Sequence, residues 1–205
     1  MKNEIQVTTS NLPSATAPQT VFTHPGDNGV QIANSGTVNV FLPGNIGMGY
    51  NATLNTEYYN LFVMGEETYH DPFFIISKDR ALTTSEGIAP EISAQFVTLT
   101  PEAIATIKTF PSLFASENRR YGRTDADHLA LFGVVTDIRV QENGIKVYFQ
   151  RFCSVPQQQL NEIAFNLALK GSTGFNELNR THWAIKRINL IEELRVAGIC
   201  ILAPI

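Results

Sequence analysis

Residues 130–152, ALFGVVTDIRVQENGIKVYFQRF, carry the strongest structural signal in the chain. Two runs of alternating apolar and polar residues flank Asn143-Gly144, a dipeptide that tolerates the positive φ angles of a type I′ turn. Because side chains alternate between the two faces of a strand, this pattern predicts an antiparallel hairpin with strands near 130–141 and 146–152.

Three further strands are expected around this hairpin. The first two are YYNLFVMG at 58–65 and FFIISKD at 73–79, and the second of these is a continuous aromatic and β-branched run typical of burial on both faces. A third strand, AQFVTL, is expected near 94–99. Together with the hairpin they predict a small antiparallel sheet or a partly closed barrel similar to an OB fold.

Three helices complete the expected fold. Thr100 is a suitable N-cap for a helix over about 101–109, with proline at its first position. The apolar residues of 156–171 repeat every three or four positions, which predicts a second helix. A third helix is expected within 189–198, where an N-cap asparagine is followed three residues later by glutamate. The predicted fold class is α+β, with helices at the C-terminal end.

The composition of the 205-residue chain changes sharply in its first third. The opening eighteen or so residues are rich in Ser, Thr, Ala and Pro without an apolar period, and residues 28–56 contain no Asp, Glu, Lys or Arg. Such a stretch buries too little apolar surface to offset the entropy of ordering it. We therefore predict a disordered tether over 1–57 and a mixed α+β interaction domain over 58–205.

One strand-forming segment lies within the neutral stretch, GVQIANSGTVNVFLPG at 29–44. Its valines and isoleucine occupy alternate positions on either side of Asn34–Gly36, which is typical of strands. Two interpretations follow. The segment either packs on the following domain as an edge hairpin, or stacks in register on copies of itself in a cross-β assembly. No charge or proline between 29 and 42 protects it from such stacking.

The sequence Val30-Gln31-Ile32-Ala33-Asn34 resembles the core of the RIP homotypic interaction motif (RHIM), an amyloid-forming signalling motif in which an Ile/Val-Gln-Ile/Val-Gly tetrad precedes a strand-forming stretch. Alanine stands here where the family has glycine. The segment is also similar to Asn/Gly-rich signalling motifs near the N-termini of bacterial antiphage and conflict proteins. The resemblance implies homotypic self-assembly by nine residues: Val30, Gln31, Ile32, Ala33, Asn34, Gly36, Val38, Asn39 and Val40.

A candidate partner-binding segment lies between the last two predicted helices, at 175–188. It contains the only tryptophan of the chain, and an aromatic anchor beside arginine is typical of interface hot spots. The other interpretation is that the tryptophan fills the space beneath the two helices and that the neighbouring histidine makes a local hydrogen bond. The partner-binding candidates are Arg180, His182, Trp183 and Arg187.

No pattern in the sequence predicts a catalytic centre, a metal site or a cofactor. The four histidines, at 24, 70, 128 and 182, lack metal-binding spacing. His70-Asp71, near Glu66 and Glu67, is the best acid–base candidate, and a surface loop is the simpler interpretation. An enzyme with a dispersed site around His70, Asp71 and His128 therefore stays as an alternative to a non-enzymatic protein.

The only basic cluster also favours a simple interpretation. Arg119, Arg120 and Arg123 are followed at once by two aspartates, at 125 and 127, which predicts a solvated loop that neutralises its own charge. The whole chain has 15 Lys and Arg against 19 Asp and Glu, a net charge of −4, so nucleic acid is not the expected partner.

These observations lead to one expected function. No apolar run is long enough for a membrane span and no secretory signal is evident, so we expect a cytoplasmic protein that does not engage membranes. Its two cysteines are expected to be free thiols. We expect a non-enzymatic signalling or assembly component of a bacterial defence system, which binds itself and an unknown protein partner. The alternative is a globular subunit, the middle component of a multi-protein defence complex, in which 29–43 is an edge hairpin.

Overall fold

The computed structural model describes residues 54–65, 69–86, 88–172 and 174–201. In these residues six strands form one sheet: β1 (Tyr59–Met64), β2 (Phe73–Ile76), β3 (Pro111–Ser116), β4 (Leu129–Gln141), β5 (Gly144–Pro156) and β6 (His182–Lys186). Four α-helices accompany the sheet: α1 (Pro90–Phe96), α2 (Pro101–Ile107), α3 (Gln157–Glu162) and α4 (Leu190–Val196). The predicted α+β class is confirmed. None of these helices is long and apolar enough to cross a membrane.

The nine residues predicted to self-assemble lie outside the described part of the chain, and so does the tether before residue 54. Their prediction therefore stays a prediction, as does the domain boundary at residue 58.

The strand order is β2-β5-β4-β3-β1-β6, and the sheet is mixed. All neighbours are antiparallel except β1 and β3, which run parallel, so the prediction of a wholly antiparallel sheet is wrong. The physical reason is the long crossover between β1 and β3, which contains α1 and α2 and brings β3 back in the same direction. Strands β2 and β6 do not pair with each other. A single bridge connects β6 to the segment that follows β2: the backbone N–H of Leu82 donates to the carbonyl of Trp183 over 2.9 Å.

The predicted central hairpin is confirmed, with a different turn. Gln141 lies opposite Gly144, so Glu142 and Asn143 form the turn and the positive φ angle, 145°, falls on Gly144 at the start of β5. The register shifts twice along this pair, first between Phe132 and Gly133. A Cβ atom at Gly133 would lie 2.1 Å from the carbonyl oxygen of Gln150, so only glycine fits this close approach.

Both faces of the sheet carry a hydrophobic core. On one face Phe62 stacks on Phe114 at 5.2 Å and on Trp183 at 5.0 Å between ring centroids, beneath α1 and α2. On the other face Leu61 and its neighbours pack against apolar residues of α3 and α4. Because β1 is covered on both sides, all six of its residues are buried.

Three local predictions need correction. Residues 94–99 do not form the expected strand, because Pro90 begins α1 and Ile92 and Phe96, four residues apart, share its buried face. The expected burial of the 73–79 run on both faces is wrong, since Ile75 in the edge strand β2 is 39% exposed. The helix expected over 156–171 ends at Glu162 and is followed by turns.

The capping signals, in contrast, were reliable. The Thr100 side chain accepts a hydrogen bond from the N–H of Ala103 over 3.2 Å and begins α2, as predicted. Asn189 accepts from the N–H of Glu192 over 3.2 Å and begins α4. Gly198, with φ 73°, follows the end of that helix.

Candidate functional site

A cavity of about 670 Å³ opens beyond the carboxyl end of β3, and its volume is within the range of ligand-binding cavities in proteins. We call it the cleft. It lies between the turn at 120–125, the segment from α3 to Leu169, and the loop at 171–176. Most of the residues that line it are of polar type, and Phe165 and Leu169 are among the apolar ones.

Five side-chain amides form a connected cluster next to the cleft: Asn118, Gln157, Asn161, Asn176 and Asn179. Asn118 and Asn161 exchange two hydrogen bonds, of 2.9 and 3.0 Å, and Asn176 adds a third by donating to Asn161 Oδ1 over 2.8 Å. Gln157 donates to Asn118 Oδ1 over 3.0 Å. Partly buried amides need such partners, and a network of them fixes the positions of the segments that carry them. We call these residues the amide cluster.

The amide cluster holds an exposed arginine turn, residues 120–123, at the rim of the cleft. Asn179 donates to the carbonyl of Arg120 over 2.8 Å and accepts from the N–H of Gly122 over 2.9 Å. Gly122 has φ 62°, and the N–H of Arg120 donates to the carbonyl of Arg123 over 3.1 Å. A single asparagine therefore fixes both the start and the apex of the turn.

Three exposed aromatic rings lie in the segments that form the cleft and its surroundings: Phe165 lines the cleft itself, Tyr121 belongs to the arginine turn and Phe175 to the loop at 171–176. Phe165 is 94% exposed, Tyr121 76% and Phe175 46%, and the last two rings contact each other at 6.0 Å between centroids. Phe165 projects from the segment after α3, whose neighbours Leu167 and Leu169 are buried. Aromatic rings so exposed are unusual on a monomer surface and are enriched at protein interfaces.

The charges at the rim divide into paired and unpaired groups. Arg119 contacts Asp125 at 3.1 Å and Asp127 at 3.2 Å on the surface. For this arginine the predicted self-neutralising loop is confirmed. The hydrogen bond that Arg119 donates to Asp125 is the main cause of its raised pKa. Arg120 and Arg123 make no ion pair with any residue that the structure describes. These two guanidinium groups can therefore bind an anion.

A smaller recess of about 260 Å³ adjoins the cleft, since Gly171 and Asn176 line both. Lys170 and Arg180 bring two more positive charges to its walls. Arg180 also donates to the carbonyl of Ser85 over 3.0 Å, which ties the loop before α1 to this side of the site.

A buried ion pair lies behind the recess. Lys186 Nζ is 2.6 Å from Glu177 Oε2, and the two side chains are 4% and 2% exposed. Burial raises the pKa of Glu177 and lowers that of Lys186, while each charge partly offsets the shift of the other. On the same face of the sheet, the hydroxyl of Tyr59 donates to the carbonyl of Leu167 over 2.7 Å. Burial raises the pKa of Tyr59, and the negative charge of Glu177 raises it further.

The chain matches no protein-family model, no curated protein and no solved structure. The function must therefore be inferred from the geometry of the site.

The structure separates the four residues predicted to bind a partner. His182 and Trp183 are fully buried in β6, and Trp183 stacks on Phe62 in the core, so neither side chain is presented at the surface. The space-filling interpretation of the tryptophan fits this position. Arg180 lines the recess, and Arg187 lies over the ring of Tyr58 at 5.9 Å.

The residues of the enzyme alternative lie in two different loops. His70 and Asp71 are exposed before β2, and His128 is largely buried before β4, where it hydrogen-bonds Thr124. Burial lowers the pKa of His128. Glu66 and Glu67 lie outside the described residues. Among the described residues no group of three or more His, Cys, Asp and Glu is placed to hold a metal ion.

Sequence reasoning missed the amide cluster and the exposed ring of Phe165. The five amides come from three separate segments of the chain, so no spacing motif in the sequence predicts them. Phe165 lies inside the stretch whose period predicts a helix, but the structure places it after the end of α3, where its ring is 94% exposed.

Proposed function

We propose that the protein is a non-enzymatic signalling and assembly component. In this proposal the folded part binds a partner protein at the cleft, and segment 29–43 stacks on copies of itself. The RHIM resemblance implies bacterial defence as the biological setting. Because the cleft lies on the folded part and the strand-forming segment precedes it, one chain can serve both roles.

One observation carries the partner-binding half of the proposal: Phe165 is 94% exposed at the wall of a cleft that a fixed arginine turn also lines. Exposing an aromatic ring to water is unfavourable, and a protein partner that buries it would gain the hydrophobic free energy. Aromatic residues and arginine are also the types enriched among interface hot spots.

The assembly half rests on the sequence of 29–43. Cross-β stacking must first order several chains, which costs conformational entropy before the side-chain contacts form, so dilute chains stay apart. A multivalent partner that binds several copies at their clefts would raise the local concentration of the segment and start the stack.

A second candidate function has one observation in its favour. β2 is an edge strand of four residues, and its outer edge pairs with no strand among the described residues. A hairpin at 29–43 could add to such an edge by main-chain hydrogen bonds, which would make the protein a globular subunit. Limited proteolysis of the dilute full chain separates the two candidates, because only a docked hairpin protects residues 30–42 from cleavage.

The test of assembly is thioflavin fluorescence and electron microscopy on the full chain at high concentration, where chains no longer stay apart. We expect fibres from the wild type and none from Gln31→Asp or Ile32→Asp, since a charge in a dry stack is strongly unfavourable. Gln19→Asp is the matched control, because it introduces the same charge outside the motif, and it should still form fibres. Fibres from Gln31→Asp and Ile32→Asp, or none from the wild type, would refute the proposal.

A further inference from the structure

We infer that the cleft and the recess together bind an extended acidic segment of a partner protein, with an apolar side chain of that segment packed against Phe165. This inference rests on the proposed partner-binding role and adds the chemistry of the partner.

The two cavities adjoin each other, because Gly171 and Asn176 line both, and we call them together the groove. A bound chain that crosses these shared residues would contact the arginine turn in the cleft and Lys170 and Arg180 in the recess. A groove of this form suits an extended peptide, whose side chains alternate and reach successive positions along the wall.

The charges of the groove favour carboxylates. Its walls carry four cationic residues: Arg120, Arg123, Lys170 and Arg180. Three acidic residues also line the walls: Asp125, Glu162 and Glu177. Two of these already have cationic neighbours, since Asp125 contacts Arg119 and Glu177 contacts Lys186. The groove is therefore locally positive in a chain of net charge −4, and arginine can bind a carboxylate through two parallel hydrogen bonds.

The same charges disfavour nucleic acid. Asp125 and Glu162 line the cleft beside the arginines, and they would repel a continuous phosphate backbone. A peptide can instead place its carboxylates opposite the arginines and its uncharged residues opposite these acids.

The groove is fixed in shape before anything binds. Asn179 holds the arginine turn, and Asn161 links the amide cluster to α3. The exposed ring of Phe165 lines the cleft and can contact a leucine or phenylalanine side chain of the bound segment. A preformed groove loses little conformational entropy on binding, which favours affinity for a short segment.

The experiment measures fluorescence anisotropy of labelled peptides of about ten residues with the full chain. One pool alternates glutamate with leucine or phenylalanine, and a matched pool has glutamine in place of glutamate. We expect the acidic pool to bind at least about ten-fold more tightly than the glutamine pool, and its affinity to fall as salt is raised. Equal binding of the two pools, binding of neither, or tighter binding of an oligothymidylate would overturn the inference.

Two variants and two matched controls locate the binding site. We expect Arg120→Ala with Arg123→Ala, and separately Phe165→Ser, each to weaken binding of the acidic pool about ten-fold or more. Arg151→Ala and Val140→Ser change exposed residues on the long hairpin and should leave binding unchanged. Unchanged binding in the cleft variants, or equal losses in the controls, would refute the assignment.

Failure of peptide binding can be distinguished from failure of self-assembly. Gln31→Asp should abolish fibres and keep peptide binding, because the substitution changes none of the residues that line the groove. Fibres without peptide binding would refute the proposed peptide site and support self-assembly. Peptide binding without fibres would refute self-assembly and support the peptide site.

Discussion

The stability of this fold should fall as the pH is lowered because of His182. The imidazole is fully buried, and its Nδ1 lies 2.9 Å from the carbonyl of Arg180, the distance of an N–H donor. Its Nε2 has no hydrogen-bond partner among the described residues. Burial lowers the pKa of His182 to about 4, and the charges of Lys186, Arg180 and Arg80 add to the shift.

The magnitude follows from linkage between proton binding and unfolding. Above pH 6.5, the ordinary value for histidine, the ring is neutral in both the folded and the unfolded chain, and the full stability is present. Between pH 6.5 and about 4 only the unfolded chain takes up the proton, so the free energy of unfolding falls as pH falls. At about 1.4 kcal/mol per pH unit, the total loss from His182 is about 3 kcal/mol.

Urea unfolding followed by the fluorescence of Trp183, the only tryptophan, measures this loss at about pH 7, 6 and 5. His182→Asn keeps a donor for the Arg180 carbonyl and does not titrate, so its stability should depend less on pH than that of the wild type. Leu178→Ala is the control, because it removes buried apolar contacts and retains the histidine, and the wild-type pH slope should persist. Equal slopes for wild type and His182→Asn would refute the reasoning.

Three further predictions concern stability and are measured by the same urea unfolding. Glu177→Gln should cost about 3–5 kcal/mol, because it removes the carboxylate that lies 2.6 Å from the buried Lys186 ammonium, and the double change to Glu177→Leu with Lys186→Met should recover much of this loss. Gly133→Ala should prevent or severely weaken folding, since its methyl group would lie 2.1 Å from the Gln150 carbonyl oxygen. Thr100→Ala should cost about 1 kcal/mol through loss of the α2 cap, and restored stability in Thr100→Ser would identify the hydroxyl as the cause.

The elements that could be predicted from sequence are those fixed by local chemistry. The Thr100 cap and the central hairpin depend on a few neighbouring residues, and each side chain or turn acts within its own segment. β6 depends instead on a distant contact. Its sequence places Lys186 in a fully buried strand, which is tolerated because Glu177 supplies the counter-charge.

The early end of α3 shows a second limit of sequence patterns. The apolar period of Leu160, Ile163 and Leu167 fits a longer helix. The chain instead leaves the helix after Glu162 and reaches a left-handed φ of 54° at Ala168. Leu167 is nevertheless buried, so contacts with the rest of the fold cover its side chain although the segment is not helical.

The groove lies far from the point where the described chain begins, which makes the two proposed functions compatible. The chain enters the described fold beside the amino ends of β1 and β3, where the N–H of Asn55 donates to the carbonyl of Thr109 over 2.8 Å. The amide cluster begins at Asn118, beyond the carboxyl end of β3. A strand of six residues is about 20 Å long, so a partner in the groove would lie at the opposite end of the sheet from the entering chain. In the proposed mechanism, partner binding can therefore gather several copies without covering the end of the sheet where the described chain begins, at residue 54.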